Sequence, residues 1–416
     1  MVDINPGVIR DSVGGVAPKP DAMTLPVGSR LLHIGPHKTG TTALQNTLFL
    51  SREELLAQGL EYLVSADRRT ANIAARAIRQ RPTKKLYSSD SVPMHFWTEL
   101  VQAAKNTTAD RVLISGEGFS DCNAEEIARI ARDLDPARLH VAITLRPLAK
   151  ILTSQWQQYI QNDMKRASLE QFLHEALDPD QQSDASGFWR RHRHDQLTKR
   201  WVDLIGAQSL TVIVVDDREP GLMMRSFERL TSLREGTLMP NRKTVKRSFI
   251  NRSLTLPETE IVRAYYALME EQGYNPRLYR EGVSIMPAHF LKQQRRPGPE
   301  EEKIQLPEWA AERAREISRN IVDGIESSGV RVIGNLKDLT RASASNGAQQ
   351  VNIPAELAAH LAVGMLVKSG LARKKSESRL ISSRSTLMRA AERISASSKL
   401  GELVVRASTR ILRRLI

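Results

Sequence analysis

The sequence predicts an α/β fold: a three-layer sandwich in which a central parallel sheet is covered by helices on both faces, with a basic helical extension at the C-terminus. Short apolar segments of strand length alternate along the chain with longer segments of helical periodicity. Glycine or polar residues directly follow several of the apolar segments. Strands that alternate with helices form parallel sheets, because each helical crossover returns the chain to the same end of the sheet.

The N-terminal part of the chain begins with a segment that has no periodicity. Residues 1–29 are rich in Pro and Gly, and we expect a flexible arm. The first strand is predicted over 30–35, where the apolar segment ends in a glycine. A helix is predicted over 40–57, and a short second strand over 59–64.

The later elements follow the same alternation. Buried-type strands are predicted over 111–115, 138–145 and 209–217, and a last short strand with its turn over 329–339. Helical patterns are predicted over 67–80, 124–134, 148–160, 189–204, 221–233, 257–272 and 308–325.

Length and composition limit the class of protein. A chain of 416 residues with 41% hydrophobic content predicts one large domain with additions. A single cysteine, Cys122, excludes an intrachain disulfide and fits a reducing compartment. No apolar run reaches the length of a membrane span, and the first residues lack a signal-peptide pattern, so we expect a cytoplasmic protein.

The positive charge is concentrated at the C-terminal end. The net charge is +14, and residues 368–416 contain 13 Lys and Arg residues against 3 Asp and Glu residues. The remaining body is only mildly basic and shows no interleaving of aromatic and basic residues, which argues against nucleic acid as the main ligand.

One segment, LLHIGPHKTGTTALQ over residues 31–45, has the pattern of an anion site. An apolar strand ends at Gly35, a polar loop carries Lys38, and Gly40 opens a helical pattern. Backbone N–H groups and the helix dipole at such a junction attract anions. The Gly35–Gly40 spacing resembles the P-loop G-x-x-x-x-G-K-[ST], except that Thr41 takes the position of the lysine.

The string K-T-G-T-T after a strand resembles the 5′-phosphosulfate loop of the sulfotransferases that use 3′-phosphoadenosine-5′-phosphosulfate (PAPS). The longer string H-I-G-P-H-K-T-G-T-T-A-L-Q is similar to bacterial members of that family. The resemblance implies that Lys38 neutralises the 5′-phosphate and that no metal is required. The backbone N–H groups that would bind this phosphate belong to Thr39, Gly40, Thr41 and Thr42.

A second segment, R-P-L-A-K-I-L-T-S, strengthens the resemblance. In the family, an Arg at a strand end and a Ser eight positions later hold the 3′-phosphate, which implies this role for Arg146 and Ser154. A strand-end arginine in a salt bridge and an exposed helical serine are the alternative. A late basic loop also contacts this phosphate in family members, but its Arg-Lys-Gly signature is missing here. A solvated loop is the alternative for its basic residues, Arg242, Lys243, Lys246 and Arg247.

Glu117 is the candidate catalytic base, because it follows a buried strand and lies between two glycines that would let a substrate approach. The family uses either His or Glu as base. Glu61 and His37 are the competing candidates, and a surface-turn glutamate is the other interpretation of Glu117. His33 is expected to pack inside the first strand.

The acceptor is not identified by the sequence. The resemblance implies sulfuryl transfer to a hydroxyl or amine of a glycan, glycolipid or small molecule. Trp156, Tyr159 and the WRRHRHD segment 189–195 are candidates for contact with a carbohydrate or an acidic acceptor. A helix with a solvated basic face is the alternative for 189–195.

The resemblance places the end of a PAPS-binding domain near residue 340, so we expect a domain over 30–340, a linker over 341–354 and a helical tail over 355–416. Residues 379–416 have the pattern of a basic amphipathic helix, which predicts peripheral association with an anionic membrane. Packing back on the domain or dimerisation is the alternative.

Two other functions compete with sulfuryl transfer. A nucleotide-dependent kinase would share the loop, although only VVDD over 214–217 offers strand-end carboxylates for Mg²⁺. A membrane-associated binding protein driven by the basic tail is the second alternative.

Overall fold

The computed structural model describes residues 23–64, 69–80, 91–163, 167–178, 180, 187–239, 252–273, 286–342 and 351–368. Within them the chain forms a six-stranded, fully parallel sheet flanked by helices, so the predicted α/β class is confirmed. The strands are β1 Arg30–His33, β2 Leu60–Leu63, β3 Arg111–Ser115, β4 Leu139–Leu145, β5 Leu210–Val214 and β6 Arg331–Ile333.

The strand order determines which segments meet. The order is β2-β3-β1-β4-β5-β6, so β1 lies at the centre between β3 and β4. His33 is level with Ser115 of β3 and with Ala142 of β4. The segments that leave the carboxyl ends of β3, β1, β4 and β5 therefore emerge side by side, where parallel sheets bind ligands. We call this side of the sheet the C-terminal edge.

The helices of the described residues are α1 Thr41–Leu50, α2 Arg52–Ala57, α3 Asn72–Arg79, α4 His95–Asn106, α5 Ala124–Asp133, α6 Leu148–Asp163, α7 Leu169–Leu177, α8 Trp189–His192, α9 His194–Ile205, α10 Leu222–Thr231, α11 Leu256–Glu271, α12 Met286–Gln294, α13 Glu308–Ser327 and α14 Ala355–Lys368. Three of them, α4, α7 and α12, were not predicted from the sequence.

Two predicted helices are each divided into two. The helix predicted over 40–57 is interrupted at Ser51, which ends α1 and precedes α2. The helix predicted over 189–204 is interrupted at Arg193, whose ψ of 80° is not helical. Serine competes for backbone hydrogen bonds at helix ends, whereas nothing in the local pattern marks Arg193 as a break.

The chain divides into two compact units, the first made of residues 1–156, 167–249 and 305–349 and the second of 157–166, 250–304 and 350–416. The first unit contains the sheet, and Leu25 packs in its core. In the second unit, the fully buried Glu258 accepts hydrogen bonds from Arg252 at 2.6 and 2.7 Å and from Arg295 at 3.1 Å. A buried carboxylate needs such partners to remain ionised.

The predicted tail lies mostly outside the described residues. Of the linker over 341–354, residues 343–350 are not described, and of the helical tail only 355–368 is. The membrane-binding segment 379–416 stays a prediction. The helices of the described ranges include none that combines the length and the apolar character needed to span a bilayer.

Candidate functional site at the C-terminal edge

The loop between β1 and α1 contains residues with positive φ, a conformation that residues other than glycine rarely adopt. Lys38 has φ +72°, and Gly40, which precedes the first turn of α1, has φ +88°. The N-cap residue of α1, Gly40, offers no side chain for capping, and the first turn of the helix contains no acidic residue. Because the first N–H groups of a helix have no intrahelical acceptor, this terminus is available to an anion.

Gly35 brings the loop against the segment that follows β3. Its φ is +77°, and a Cβ built there would lie 2.9 Å from Glu117 Cβ and 3.3 Å from Thr41 Cγ2. Only glycine combines this backbone conformation with such a close approach. The loop and Glu117 are thereby held in contact.

Glu117 begins a 3₁₀ turn, Glu117–Asp121, directly after β3. Its Oε2 accepts a hydrogen bond from Gln45 Nε2 at 2.8 Å, and its Oε1 lies 3.8 Å from His37 Nδ1. Burial raises the pKa of Glu117. The neighbouring His37 and the hydrogen bonds, first among them that from Gln45, lower it by more than burial raises it, so the pKa lies below its ordinary value. The carboxylate is ionised at neutral pH.

The glycines on either side of Glu117 lie close to α3. A Cβ on Gly116 would lie 3.1 Å from Asn72 Oδ1, and a Cβ on Gly118 would lie 3.1 Å from Ala75 Cβ. Asn72 Oδ1 also accepts the Gly118 N–H at 3.0 Å. These glycines therefore allow α3 to pack closely against the turn.

His37 lies beside Glu117 with 28% of its side chain exposed. Burial within the loop lowers its pKa, and the positive charge of Arg191 lowers it further, while Glu117 and Asp121 act in the opposite direction. The ring is neutral at pH 7, and it faces Glu117 as a polar group and not as a cation.

A continuous chain of buried hydrogen bonds connects Glu117 to the loop. Gln45 Nε2 also contacts Ser115 Oγ at 3.2 Å, and Ser115 Oγ lies 2.8 Å from His33 Nδ1. His33 Nε2 lies 3.1 Å from Thr144 Oγ1, which lies 2.8 Å from Thr39 Oγ1. Thr39 Oγ1 donates to Pro36 O at 2.7 Å.

His33 therefore does more than pack inside its strand. It is fully buried, and burial lowers its pKa to about 4. The Thr39 hydroxyl is also fully buried and supports the loop from inside, so only its backbone N–H remains for a phosphate. Thr41 is buried and Thr42 is exposed.

Arg146 lies at the carboxyl end of β4 and is engaged by an acidic neighbour. Its Nη2 donates to Asp217 Oδ1 at 2.6 Å and to Oδ2 at 2.7 Å, and Lys150 Nζ lies 3.9 Å from Asp217 Oδ2. The buried Arg146 Nε has no hydrogen-bond partner among the described residues. Ser154 lies two turns further along α6 and is half-buried.

A second charged group surrounds the far end of the Glu117 turn. Asp121 is 4% exposed and accepts hydrogen bonds from Arg191 Nε at 2.7 Å and Nη2 at 2.8 Å. Arg79 Nη1 lies 3.1 Å from the same carboxylate. Burial raises the pKa of Asp121, and the bonds from Arg191 lower it more strongly, so the net shift is downward.

Several predicted residues lie elsewhere. Glu61 is inside β2, level with Val112, and β3 separates its strand from β1. Trp156 is 1% exposed and donates from Nε1 to Ala167 O at 3.0 Å, so it is a core residue and not an acceptor contact. Tyr159 is half-buried. The basic residues Arg242, Lys243, Lys246 and Arg247 lie outside the described residues.

The carboxylates of the VVDD segment are both engaged by arginines. Asp217 binds Arg146, as described above, and Asp216 accepts hydrogen bonds from Arg218. The segment 189–195 is only partly solvated, since Trp189 and His192 are buried.

Sequence reasoning missed the polar residues that support the site. Gln45, Ser115 and Thr144 connect to the loop through the buried hydrogen bonds, and Asp121 organises the arginines. Gln45 offered a signal, because it is a polar residue within the buried side of α1. Asp121 offered a weaker one, four residues after Glu117 in an otherwise small and apolar turn.

Comparison with known proteins adds a distant structural likeness. Neither the family models nor the curated protein sequences compared with this chain give a match. Among solved structures, the chain is similar to a sulfotransferase from Alicyclobacillus acidocaldarius, with 13% identity and a TM-score of 0.36, over 59% of this chain and 96% of that one. At this distance the likeness assigns no activity, and the fold is defined by the sheet order described above.

Proposed function

We propose that the protein transfers a sulfuryl group from PAPS to a hydroxyl or amine acceptor. The proposal is carried by one observation: an uncapped helix N-terminus with Lys38 follows the central strand and is in contact with the ionised Glu117. Sulfuryl transfer needs a binding site for the donor phosphate, charge stabilisation on that phosphate and a base near the acceptor.

The loop residues supply the first two requirements. Backbone N–H groups of Thr39, Gly40, Thr41 and Thr42 would hold the 5′-phosphate at the N-terminus of α1. Lys38 would neutralise the charge that develops on this phosphate when the sulfur–oxygen bond breaks. The loop is supported from below by the buried Thr39 and Thr144 hydroxyls, so it is held in shape before the donor arrives.

The 3′-phosphate is assigned to Arg146 and Ser154, on the β4 side of the loop. Arg146 has a planar fork suited to phosphate, and its unpartnered buried Nε needs an acceptor. Asp217 already binds Nη2, and it would hold the guanidinium in place while the phosphate accepts from the remaining N–H groups.

The transfer step itself is a displacement at sulfur. The acceptor oxygen bonds to sulfur, the bond between sulfur and the 5′-phosphate oxygen breaks, and that oxygen keeps the electron pair beside Lys38. The hydroxyl proton passes to the Glu117 carboxylate. The products are the sulfated acceptor and 3′-phosphoadenosine 5′-phosphate (PAP).

Calorimetry with two nucleotides tests the donor site. PAP and adenosine 5′-monophosphate (AMP) differ only in the 3′-phosphate, so we expect wild type to prefer PAP. Lys38→Ala should weaken both nucleotides by about tenfold or more, because the 5′-phosphate loses a charged partner. Arg146→Ala should remove the preference for PAP and leave AMP binding nearly unchanged.

The matched control is Lys199→Ala, which removes an exposed lysine on α9 whose partner is Asp203. It should leave both affinities unchanged. If PAP binds wild type and Lys38→Ala equally, or fails to bind wild type at millimolar concentration, the proposed function is wrong.

A further inference from the structure

One side of α9 carries neutral polar side chains that are fully buried. His194, Thr198 and Trp201 follow one another at spacings of four and three residues, which puts them on one face of the helix. Their exposed fractions are 2%, 0% and 0%. His192, the last residue of α8, is 1% exposed, and its ring centroid lies 5.9 Å from that of His194. We call these four residues the α9 polar row.

The α9 polar row has buried polar atoms without hydrogen-bond partners in the part of the chain that the structure describes. These atoms are both ring nitrogens of His192, His194 Nε2, Thr198 Oγ1 and Trp201 Nε1. A buried polar group without a partner loses its hydrogen bonds to water and gains nothing in return, which is strongly destabilising. Native structures therefore supply a partner, either from the protein or from bound water. Five such atoms in one row indicate a bound ligand.

The tryptophans give the clearest comparison within the molecule. The chain contains five. Four of them donate their indole N–H to a described oxygen at 2.7–3.0 Å: Trp97 to Asp133 Oδ2, Trp156 to Ala167 O, Trp189 to Ala176 O and Trp309 to Glu170 Oε1. Trp201 is fully buried, yet among the described residues nothing accepts its indole N–H. Because a buried indole N–H usually has an acceptor, we expect an oxygen from a bound molecule at this position.

The chemistry of the α9 polar row favours water over an ion. Burial lowers the pKa of His194 to about 4 and lowers the pKa of His192 well below its ordinary value, so both rings are neutral at pH 7. A neutral imidazole offers one N–H and one acceptor nitrogen, a threonine hydroxyl can donate and accept, and an indole only donates. An anion requires donors and a cation requires acceptors, whereas water binds to both kinds of group.

The α9 polar row begins beside the candidate functional site. Arg191, which precedes His192 in the single turn of α8, donates from Nε and Nη2 to Asp121 at 2.7 and 2.8 Å. Burial is the largest cause of the lowered pKa of His192, and the nearby loop residues His37 and Lys38 add to it. His192 is therefore close both to the loop after β1 and to the 3₁₀ turn after β3.

We propose that the α9 polar row is a binding site for buried water, held by the two histidine rings, the Thr198 hydroxyl and the Trp201 indole N–H. Such water is part of the folded structure, because it completes hydrogen bonds that the row would otherwise lack. It would stabilise the packing of α8 beside α9, and with it the position of Arg191 at Asp121. This inference does not depend on the proposed sulfuryl transfer.

Contact between water and the Trp201 indole is the direct test. In the full chain with isotope-labelled tryptophan, each indole N–H gives one nuclear magnetic resonance signal, and Trp201→Phe identifies the signal of Trp201. We expect a nuclear Overhauser effect between this N–H and water, with the sign that a long-lived bound water gives. The indole of Trp189, which donates to Ala176 O at 2.8 Å, is the matched control and should show no such effect.

A second variant tests the site through stability. Thr198→Val replaces the hydroxyl by a methyl group of similar size. If water binds the hydroxyl, the variant loses a hydrogen bond, and its equilibrium constant for unfolding, measured with urea, should rise about fivefold. Thr231→Val on α10 is the matched comparison and should rise similarly, because its buried hydroxyl donates to Phe227 O at 2.6 Å.

Either measurement can overturn the proposal. If Thr198→Val unfolds no more readily than wild type, the Thr198 hydroxyl has no bound partner and the water site is wrong. A Trp201 indole without contact to water also overturns it, since a protein atom must then accept that N–H. Neither result affects the nucleotide titrations that test the proposed function, and a failure of PAP to bind leaves the water site standing.

Discussion

At Glu117, burial and hydrogen bonding act in opposite directions on one carboxyl group. Burial alone would favour the protonated form, but His37 and Gln45 favour the charged one, and the net pKa is lowered. A carboxyl group with a lowered pKa is ionised throughout the neutral range. Under the proposed function, this weak basicity would suit a hydroxyl that becomes acidic only as its oxygen bonds to sulfur.

Glu117→Gln should therefore lower the rate of sulfuryl transfer by about 10²- to 10⁴-fold while PAP affinity stays within about twofold. The glutamine preserves shape and can keep a hydrogen bond to Gln45, but it cannot take a proton. The measurement is transfer of radiolabelled sulfate from PAPS to a simple hydroxyl acceptor, chosen from phenols and sugars by its rate with wild type. Glu61→Gln, in the middle of β2, is the control and should keep the transfer rate. A larger loss of rate in Glu61→Gln than in Glu117→Gln would mean that Glu117 is not the base.

Single residues also show where sequence reasoning stops. The Lys38 loop, Glu117 and Arg146 could be placed at strand ends, because local apolar patterns mark each strand. The partners Asp217 and Asp121 could not be assigned, because each lies far along the chain or in another element from the arginine that it binds. Asp217 is 71 residues from Arg146, and Asp121 is 70 residues from Arg191.

At the scale of elements, the junction between the loop and the Glu117 turn depends on Gly35. Its positive φ and the 2.9 Å approach of Glu117 Cβ are separate constraints that one alanine would violate together. Gly329 provides a comparison, since its φ is +68° but a Cβ there would have no neighbour within 4 Å.

Gly35→Ala should lower the free energy of unfolding by more than Gly329→Ala, which should cost about 1 kcal/mol from backbone strain alone. The additional loss at Gly35, bringing the total to about 2–3 kcal/mol, comes from the displaced Glu117 turn. Urea unfolding of both variants measures the difference. Equal losses would mean that the contact between Gly35 and Glu117 is not tight.

The element predictions succeeded where a segment has one clear periodicity. The strand predicted over 111–115 has those bounds, and β4 and β5 lie inside their predicted ranges. The helices α4 and α7 were missed because polar residues interrupt their apolar ones, although Ser168 and Gln171 form a capping box at the start of α7 that the sequence reasoning did not use. The order of the strands required the structure, because periodicity does not specify which strands are neighbours.

At the scale of the whole molecule, several histidines are buried as neutral rings in different elements. Burial lowers the pKa of His33 in β1, His140 in β4 and His194 in α9 to about 4 each. Their ordinary value is 6.5, so between pH 6.5 and 4 the unfolded chain binds more protons than the folded one.

The stabilisation that comes from burying these rings in the neutral form should therefore be fully present above pH 6.5. As the pH is lowered toward 4, the free energy of unfolding should fall by about 1.4 kcal/mol per pH unit for each ring. The carboxylates with lowered pKa values, Glu117 and Asp121, contribute only at lower pH, because their stabilisation begins to disappear near their ordinary pKa values. Urea unfolding at pH 7.5, 6.0 and 5.0 measures the slope. His140→Gln should reduce it, and an unchanged stability over this range would contradict the neutral burial of these rings.

The buried hydrogen bonds beneath the loop have a direction as well as a location. With the His33 proton on Nε2, Gln45 donates to Ser115, Ser115 to Nδ1, Nε2 to Thr144, Thr144 to Thr39, and Thr39 to Pro36 O. With the proton on Nδ1, Thr144 would donate to His33 Nε2. The single hydroxyl hydrogen of Thr39 could then serve either Thr144 Oγ1 or Pro36 O, and the other oxygen pair would have no hydrogen between its atoms. The hydrogen bonds thus favour the tautomer with the proton on Nε2, and three strands, a helix and the loop then share one direction of donation, with Gly35 O as a second, longer acceptor for Thr144 at 3.3 Å.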